Sequence, residues 1–328
     1  MEKYKSMEHE NENVEKKVVK LYNCELINRI FRMDLSEIKT DEFTEESEVT
    51  VEETTIYISE YDLLKPIRQS MLKLFDCLMI EFTQQNHYKC KKEDLQREVR
   101  ISLSDYVGLR TESASKSYED KIREEVKKDL AILSHISIEG SENQKKNTKY
   151  FSKAKICERA GFEKHTIIFV FSEELADYLV HSYVMTYPLT LLRMDSKNKN
   201  LYPLGRKMAL HYGMDNNVTM GTNDKLSVKI ALEYCPTIPT KDEVEKSDGR
   251  IKRRIYESFE KTVATLGFDC EFVMGEEVKD IAYIHNLDIK KYEKLCIRFA
   301  IPDIVIQDAR RNRRAAEKAK AKAKKDAS

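Results

Sequence analysis

The sequence predicts an α+β fold in which one layout is used twice. Three observations predict it. Apolar residues recur every three or four positions over long stretches, as in helices with one buried face. Short β-branched runs bounded by turn residues follow those stretches. The succession helix, helix, helix, strand pair then occurs twice, about 120 residues apart. That succession is the order of a winged helix, a helix-turn-helix followed by a β-hairpin wing. The expectation is therefore two tandem winged-helix domains with flexible N- and C-terminal tails. A chain of 328 residues has room for two domains of the usual ~100–200 residues. The expected division is an acidic, partly disordered arm over 1–48, a first domain over 49–186, a second over 187–303 and a basic tail over 304–328.

The elements follow in order. The arm lacks a sustained apolar pattern. Within it Leu21, Leu26, Ile27, Ile30 and Phe31 suggest one helix over 18–35, and the acidic stretch 40–48 reads as a linker. Residues 49–59 alternate and are rich in β-branched side chains, which predicts a strand. Pro66 suits a first helical turn, where its missing N–H has no partner to lose. Ile67, Met71, Leu74, Phe75, Leu78, Met79 and Phe82 give the helix it opens an apolar face as far as Gln84. A short strand over 100–103 precedes Ser104, the expected N-cap of a brief helix over 105–109. A longer helix over 115–133 turns Ile122, Val126, Leu130 and Leu133 inward. Strands are expected at 136–139, 150–158 and 165–171. The polar, basic stretch 140–149 is the expected first wing, and a turn at Gly161 joins the last two strands. A helix over 173–183 closes the unit.

In the second unit a helix over 200–214 carries Pro203 early, and a polar loop with Gly221 and Asn223 follows. Ser227 caps a short helix through Leu232. The loop Cys235-Pro-Thr-Ile-Pro239 stops that helix, since proline cannot continue it. A longer helix is expected over 249–266, with Gly267 at its C-terminal cap. Strands at 269–274 and 294–301 are joined by a basic stretch around Lys290. The two copies share a layout and no clear sequence identity.

Composition narrows the function classes. Lys plus Arg equals Asp plus Glu at 57 each, but the neutral total hides polarity along the chain. Residues 1–60 carry a net charge of about −8, and the last twenty residues, from Ala309, about +7. What matters for nucleic acid is local clustering of cations, not the total. No run of ~18 apolar residues predicts a membrane span, and the polar, acidic start lacks the apolar core of a signal peptide. Seven scattered cysteines without metal-ligand or redox spacing fit a reducing cytosol, and most of them read as small buried hydrophobes. Catalytic constellations are scarce. Gly205-Arg-Lys lacks both the preceding glycine and the following hydroxyl of a phosphate loop. No His-x-His pair or His-Glu-x-x-His motif occurs among the seven histidines. No enzyme, cofactor or metal is expected, and His211 reads as structural.

The sharpest feature is the helix beginning Arg250-Ile-Lys-Arg-Arg-Ile-Tyr-Glu-Ser-Phe-Glu-Lys261. At 100° per residue Ile251, Ile255, Phe259, Val263 and Leu266 form one inward stripe. Arg250, Arg253 and Arg254 then stand opposite, flanked by Lys252, with acids only further along at Glu257 and Glu260. In helix-turn-helix readers the first residues of the second helix reach base edges, and arginine is the commonest guanine contact. The competing reading is a solvated face with intrahelical ion pairs. The short helix before it and the hairpin after it favour DNA reading. Lys225, Lys229, Lys290, Lys291 and Arg298 are candidate phosphate clamps around it. In the first unit Ser115, Lys116 and Lys121 on the long helix, and Lys145 and Lys146 in the expected wing, are candidate backbone contacts. Ser115 equally suits ordinary capping. The tail around Arg310-Arg-Asn-Arg-Arg314 favours phosphate contact through counterion release or serves solubility.

Several segments resemble a known family. They are Leu191-Leu-Arg-Met-Asp195, Tyr202-Pro-Leu-Gly-Arg-Lys-Met-Ala-Leu-His-Tyr-Gly-Met214, Ser227-Val-Lys229, Cys235-Pro-Thr-Ile-Pro239 and Arg253-Arg-Ile-Tyr-Glu-Ser-Phe-Glu260. Together they resemble replication initiators of plasmids and integrative elements, most clearly over 187–275. The family pattern carries an aromatic residue, often Trp, after the recognition helix. This chain has no Trp, and Phe268 and Phe272 stand in that place. Its acidic arm and lysine-rich tail also depart from the pattern. The resemblance implies a bacterial cytoplasmic protein that binds repeated origin sequences in double-stranded DNA, dimerises through its first domain and recruits a host helicase or its loader. A winged-helix transcriptional repressor of the same element is the alternative. A nicking enzyme lacks its metal ligands here, and an interaction protein using the charged ends is a further rival.

Overall fold

Val18–Asn23 forms a strand (β1) where a helix was expected, because its partner lies far away in sequence. It pairs antiparallel with residues 183–188, Leu21 opposite Met185. The Tyr22 amide donates to Thr83 Oγ1 at 3.0 Å and its phenol to the Asn86 carbonyl at 3.1 Å. Among the described residues of that stretch, Glu25–Ile30 (α1) is the helical part, and Phe31 lies outside the described residues. Leu21, Tyr22, Ile27 and Ile30 are buried in the core, so this part of the expected arm belongs to the fold. The structure is a computed structural model that describes residues 18–23, 25–30, 39–41, 46–51, 54–59, 69–86, 92–111, 115–144, 147–213, 224–247 and 249–301. The basic tail, Pro66, Ile67, Lys145, Lys146, Gly221 and Asn223 lie outside the described residues.

The expected linker and strand over 40–59 are three strands, Lys39–Asp41 (β2), Glu46–Val51 (β3) and Thr54–Ser59 (β4), joined in antiparallel pairs. The helix Gln69–Asn86 (α2) follows. It is buried on nearly every side, as a central helix must be. Its polar residues therefore need partners: Thr83 and Asn86 bond to Tyr22 and Gln96 in the first unit, and Gln69, Lys73 and Asp76 reach residues 194–206.

The first unit is built on Glu98–Ser102 (β5), Leu103–Arg110 (α3) and Lys116–Ser134 (α4). The cap of α3 is Ser102, whose hydroxyl accepts from the Asp105 amide at 3.0 Å, two residues before the expected Ser104. Ile122, Val126, Leu130 and Leu133 of α4 are buried, as their spacing predicts. Four strands follow, not three: Ile136–Gln144 (β6), Asn147–Lys155 (β7), Cys157–Glu163 (β8) and Thr166–Phe171 (β9). No glycine or proline marks the break at Ile156, so β7 and β8 merge in a reading by pattern. The break matters, because the expected wing over 140–149 extends the sheet β2-β3-β4-β6-β7. The hairpin that pairs with β5 is β8–β9, in the order β5-β9-β8. It turns at Lys164, which has φ 56°, and His165, while Gly161 lies inside β8. Glu173–Val180 (α5) and Tyr183–Pro188 (β10) end the unit. The boundary expected between 186 and 187 falls inside β10, which is held by β1.

Leu201–Gly213 (α6) opens the second unit, and Lys225–Ser227 (β11) and Val228–Glu233 (α7) follow. Ser227 caps α7 as predicted, its hydroxyl accepting from the Ile230 amide. A helix missed by pattern, Lys241–Ser247 (α8), comes next. After the long helix described below come Asp269–Met274 (β12), Glu277–Val278 (β13) and Cys296–Ala300 (β14). The strand order is β11-β14-β12-β13. In both units the first strand lies beside the last and the last beside the middle one. The repeated layout is thus present as repeated topology in an α+β fold.

A single hydrophobic core runs through both units. At their junction Arg206 of α6 donates through Nε to Asp76 of α2 at 2.7 Å and through a terminal nitrogen to Asn28 of α1 at 2.7 Å. Tyr202 donates to the same Asp76 oxygen at 2.5 Å, and its phenol lies 2.9 Å from that of Tyr187. Burial pushes both phenols well above their usual range. Lys73 donates to the Met194 carbonyl and to Ser196 Oγ. A methyl group on Gly205 would stand 2.8 Å from the Met194 terminal carbon, which is the close approach that glycine allows.

Candidate nucleic-acid interface

The candidate surface begins with how its long helix is entered. Thr240 and Glu243 cap α8 reciprocally: the Glu243 carboxylate accepts from the Thr240 amide at 2.6 Å, and Thr240 Oγ1 accepts from the Glu243 amide at 3.4 Å. Val244 anchors α8 in the core. Gly249, at φ 65°, ends it, its amide donating to the Val244 carbonyl at 2.9 Å. Gly249 is thus the exit of one helix and not the first residue of the next.

The next helix starts at Ile251, makes a π-helical turn over Lys252–Tyr256 and continues as Glu257–Thr265 (α9). Ile255, Phe259, Val263 and Leu266 are buried and Ile251 half-buried, so the predicted inward stripe is present. Arg250, Lys252 and Arg253 are exposed. Arg254 is half-buried, and its guanidinium donates to Ser247 Oγ. The π turn inserts an extra residue: the Glu257 amide donates to the Lys252 carbonyl, five residues back. Tyr256 is buried at the edge of the inward stripe. Its ring stacks on Tyr292 at 3.8 Å between centroids and 12° between planes, and its hydroxyl donates to the Leu287 carbonyl at 3.2 Å.

Tyr292 belongs to an insertion between β13 and β14 made of Ile281–His285 (α10) and Ile289–Tyr292 (α11). His285 Nε2 lies 3.0 Å from the Glu260 carboxylate, whose pKa is raised chiefly by burial. The insertion and the start of the long helix enclose a groove of about 690 Å³. Lys241, Arg250, Lys252, Arg253 and Glu257 stand on one side, with Asp288 and Ile289 on the other.

The other expected clamp residues divide. Lys229, Lys290 and Lys291 are exposed, with Lys291 3.4 Å from Asp288. Lys225 and Arg298 stand opposite each other across β11 and β14, with Glu271 next across β12. Glu276 holds Lys225, and Glu271 holds Arg298 at 2.6 Å. These two cations are already engaged in a cross-strand charge ladder. The turn beyond them presents Glu276 and Glu277 beside exposed Met274, Val278 and Tyr283. The cationic surface of the second unit is therefore the start of the helix and not the hairpin turn. In the first unit Ser115 caps α4, accepting from the Tyr118 amide at 3.2 Å, while Lys116 and Lys121 are exposed.

Lys241 was not anticipated, because α8 was not. The pattern Thr240-x-x-Glu243 is the signal that could have found it. His211 ties α6 to β11, its ring nitrogen 2.9 Å from the Lys225 carbonyl. Cys77, Cys157 and Cys235 are buried, and burial pushes the Cys157 thiol up to about 12. Among the described residues, no cluster of His, Cys, Asp or Glu has the makings of a metal site, and no helix is long and apolar enough to cross a membrane.

No protein-family model matches the chain, and no curated protein matches it. Two solved structures of domains 2 and 3 of RctB are similar to it. One covers 85% of this chain and 99% of its own, at 10% identity and a TM-score of 0.38. The other, a selenomethionine derivative, covers 83% and 97%, at 10% identity and a TM-score of 0.36. Likeness at that level does not specify a function.

Proposed function

We propose that this chain is a sequence-specific double-stranded DNA-binding protein that initiates replication of a plasmid or integrative element, acting by binding and not as an enzyme. One observation carries the DNA-binding part: Arg250, Lys252 and Arg253 are exposed at the start of a helix whose opposite face is buried. That helix follows two short helices and precedes the strands that complete the sheet, the placement of a base-reading helix. Arginine at such a place reaches guanine in the major groove. Lys241, Lys229, Lys290 and Lys291 flank it and hold phosphates, with Lys116 and Lys121 of the first unit adding backbone contacts. Lys225 and Arg298 contribute only by exchanging their acidic partners for phosphate.

The initiator role rests on the resemblance of residues 187–275 to plasmid initiators. It brings origin repeats, a dimer through the first unit and a host helicase or loader as partners. Footprinting on the DNA flanking the gene is expected to reveal repeated protected sites. Arg253→Ala should lose about 1–3 kcal/mol at one base position and relax preference there. Unchanged affinity and preference would count against the assignment. Supplying the protein in trans to a plasmid bearing those repeats should support its replication. Binding without replication would instead leave a repressor of the same element.

A further inference from the structure

We infer that Glu257 is a specificity-determining residue that selects a cytosine within the DNA site contacted by Arg250 and Arg253, an inference that rests on the DNA-reading proposal above. Three acids line the groove at the start of the helix: Glu245, Asp288 and Glu257. Two are occupied within the protein. Glu245 lies 3.4 Å from Lys241, and Asp288 lies 3.4 Å from Lys291 while also accepting from the Lys291 amide. Glu257 is exposed and forms no ion pair among the described residues, although Arg253 stands about one turn before it and Lys261 one turn after. Glu257 shares the outward face with Arg250 and Arg253, while its neighbour Tyr256 is buried against Tyr292.

A carboxylate in that position weakens attraction to every phosphate backbone, whatever the sequence. A surface that only gripped DNA would be better without it. A surface that discriminates gains from it, because repulsion against wrong partners is a source of specificity. An ionised carboxylate only accepts hydrogen bonds. In the major groove cytosine offers its N4 amino donor, guanine and thymine offer acceptors, and adenine offers its N7 acceptor beside its amino group. Cytosine is therefore the base such a carboxylate favours: guanine and thymine set acceptor against acceptor, and adenine sets its N7 acceptor beside the donor.

The test is selection from a random-sequence duplex pool with the full chain, as wild type, Glu257→Ala and Glu257→Gln. The wild type is expected to enrich a site with guanine positions and one cytosine position, the latter preferred roughly 5- to 150-fold. Glu257→Ala should lose preference at that position alone and bind unselected duplex several-fold more tightly. Glu257→Gln, whose amide both donates and accepts, should shift that position toward adenine. Enrichment of the same site with the same cytosine preference by Glu257→Ala would overturn the inference while leaving DNA reading intact. Failure of the wild type to enrich any site would overturn DNA reading itself, and this inference with it.

Discussion

Asp76 and Arg206 show what individual residues contribute here. Both are buried, at 0% and 3% exposure, and they meet across the junction of the two units. Their mutual attraction is largely spent on leaving water, so the pair adds little net stability. Removing one member is different, because the other charge is then buried without its partner. Arg206→Ala should cost about 3–5 kcal/mol, read from chemical denaturation, and an unchanged midpoint would contradict the geometry. Lys73 tells a related story with pH. Burial lowers its pKa from 10.5 to about 8, so the folded protein loses that proton before the unfolded chain does. Between those two values the unfolded state binds more protons, and stability due to this residue rises with pH by up to about 1.4 kcal/mol per unit. Below about 8 the buried charge is a fixed penalty. Ionisation of other groups, such as the buried thiol of Cys77, acts in the same alkaline range, so the contrast with Lys73→Met is the informative one. The difference in stability between wild type and variant should shift in favour of the wild type from pH 8 to 10.5. A gap that stays constant would show that Lys73 does not titrate as described.

Elements are set by caps and by which faces they bury. Ser102, Ser115 and Ser227 each accept an amide proton at the first turn of a helix beside a strand or loop. Ser227→Ala should therefore cost roughly 1 kcal/mol of thermal or chemical stability. No loss at all would mean that the hydrogen bond contributes nothing to α7. The α4 stripe and the Ile255–Leu266 stripe were legible because a 3.6-residue period survives in any helix with one wet face. The Ser227 cap was legible for a similar local reason. Elements fixed by distant partners were not. β1 looks helical until β10, some 160 residues on, supplies its ladder. The β7–β8 break carries no glycine or proline, and it decides which hairpin closes the first unit. The π turn leaves no mark in the period, and the stacking of Tyr256 on Tyr292, which seats α11 against the long helix, joins residues far apart in sequence. The cations of that helix were legible, but the pairing of Lys225 and Arg298 with acids depends on sheet register and was not.

The whole molecule is two units with one core. The hydrophobic cluster is continuous from Leu21 to Ile301, and Asp76, Arg206, Tyr202 and Tyr187 close the junction with hydrogen bonds. Units that share a core are expected to unfold together, so thermal melts followed by helix signal and by tyrosine fluorescence should coincide. Two separated transitions would show that the units are independent. At this scale the central claim is that the second unit presents its cations to a duplex while the rest of the fold holds that helix in place. Anisotropy titrations of a footprinted site, repeated over a range of salt, test it most directly. Arg250→Ala/Arg253→Ala should weaken binding at least tenfold and flatten the salt dependence, in a variant whose helix signal and cooperative melt show that it is folded. Equal affinity and an equal salt slope in the variant and the wild type would contradict it.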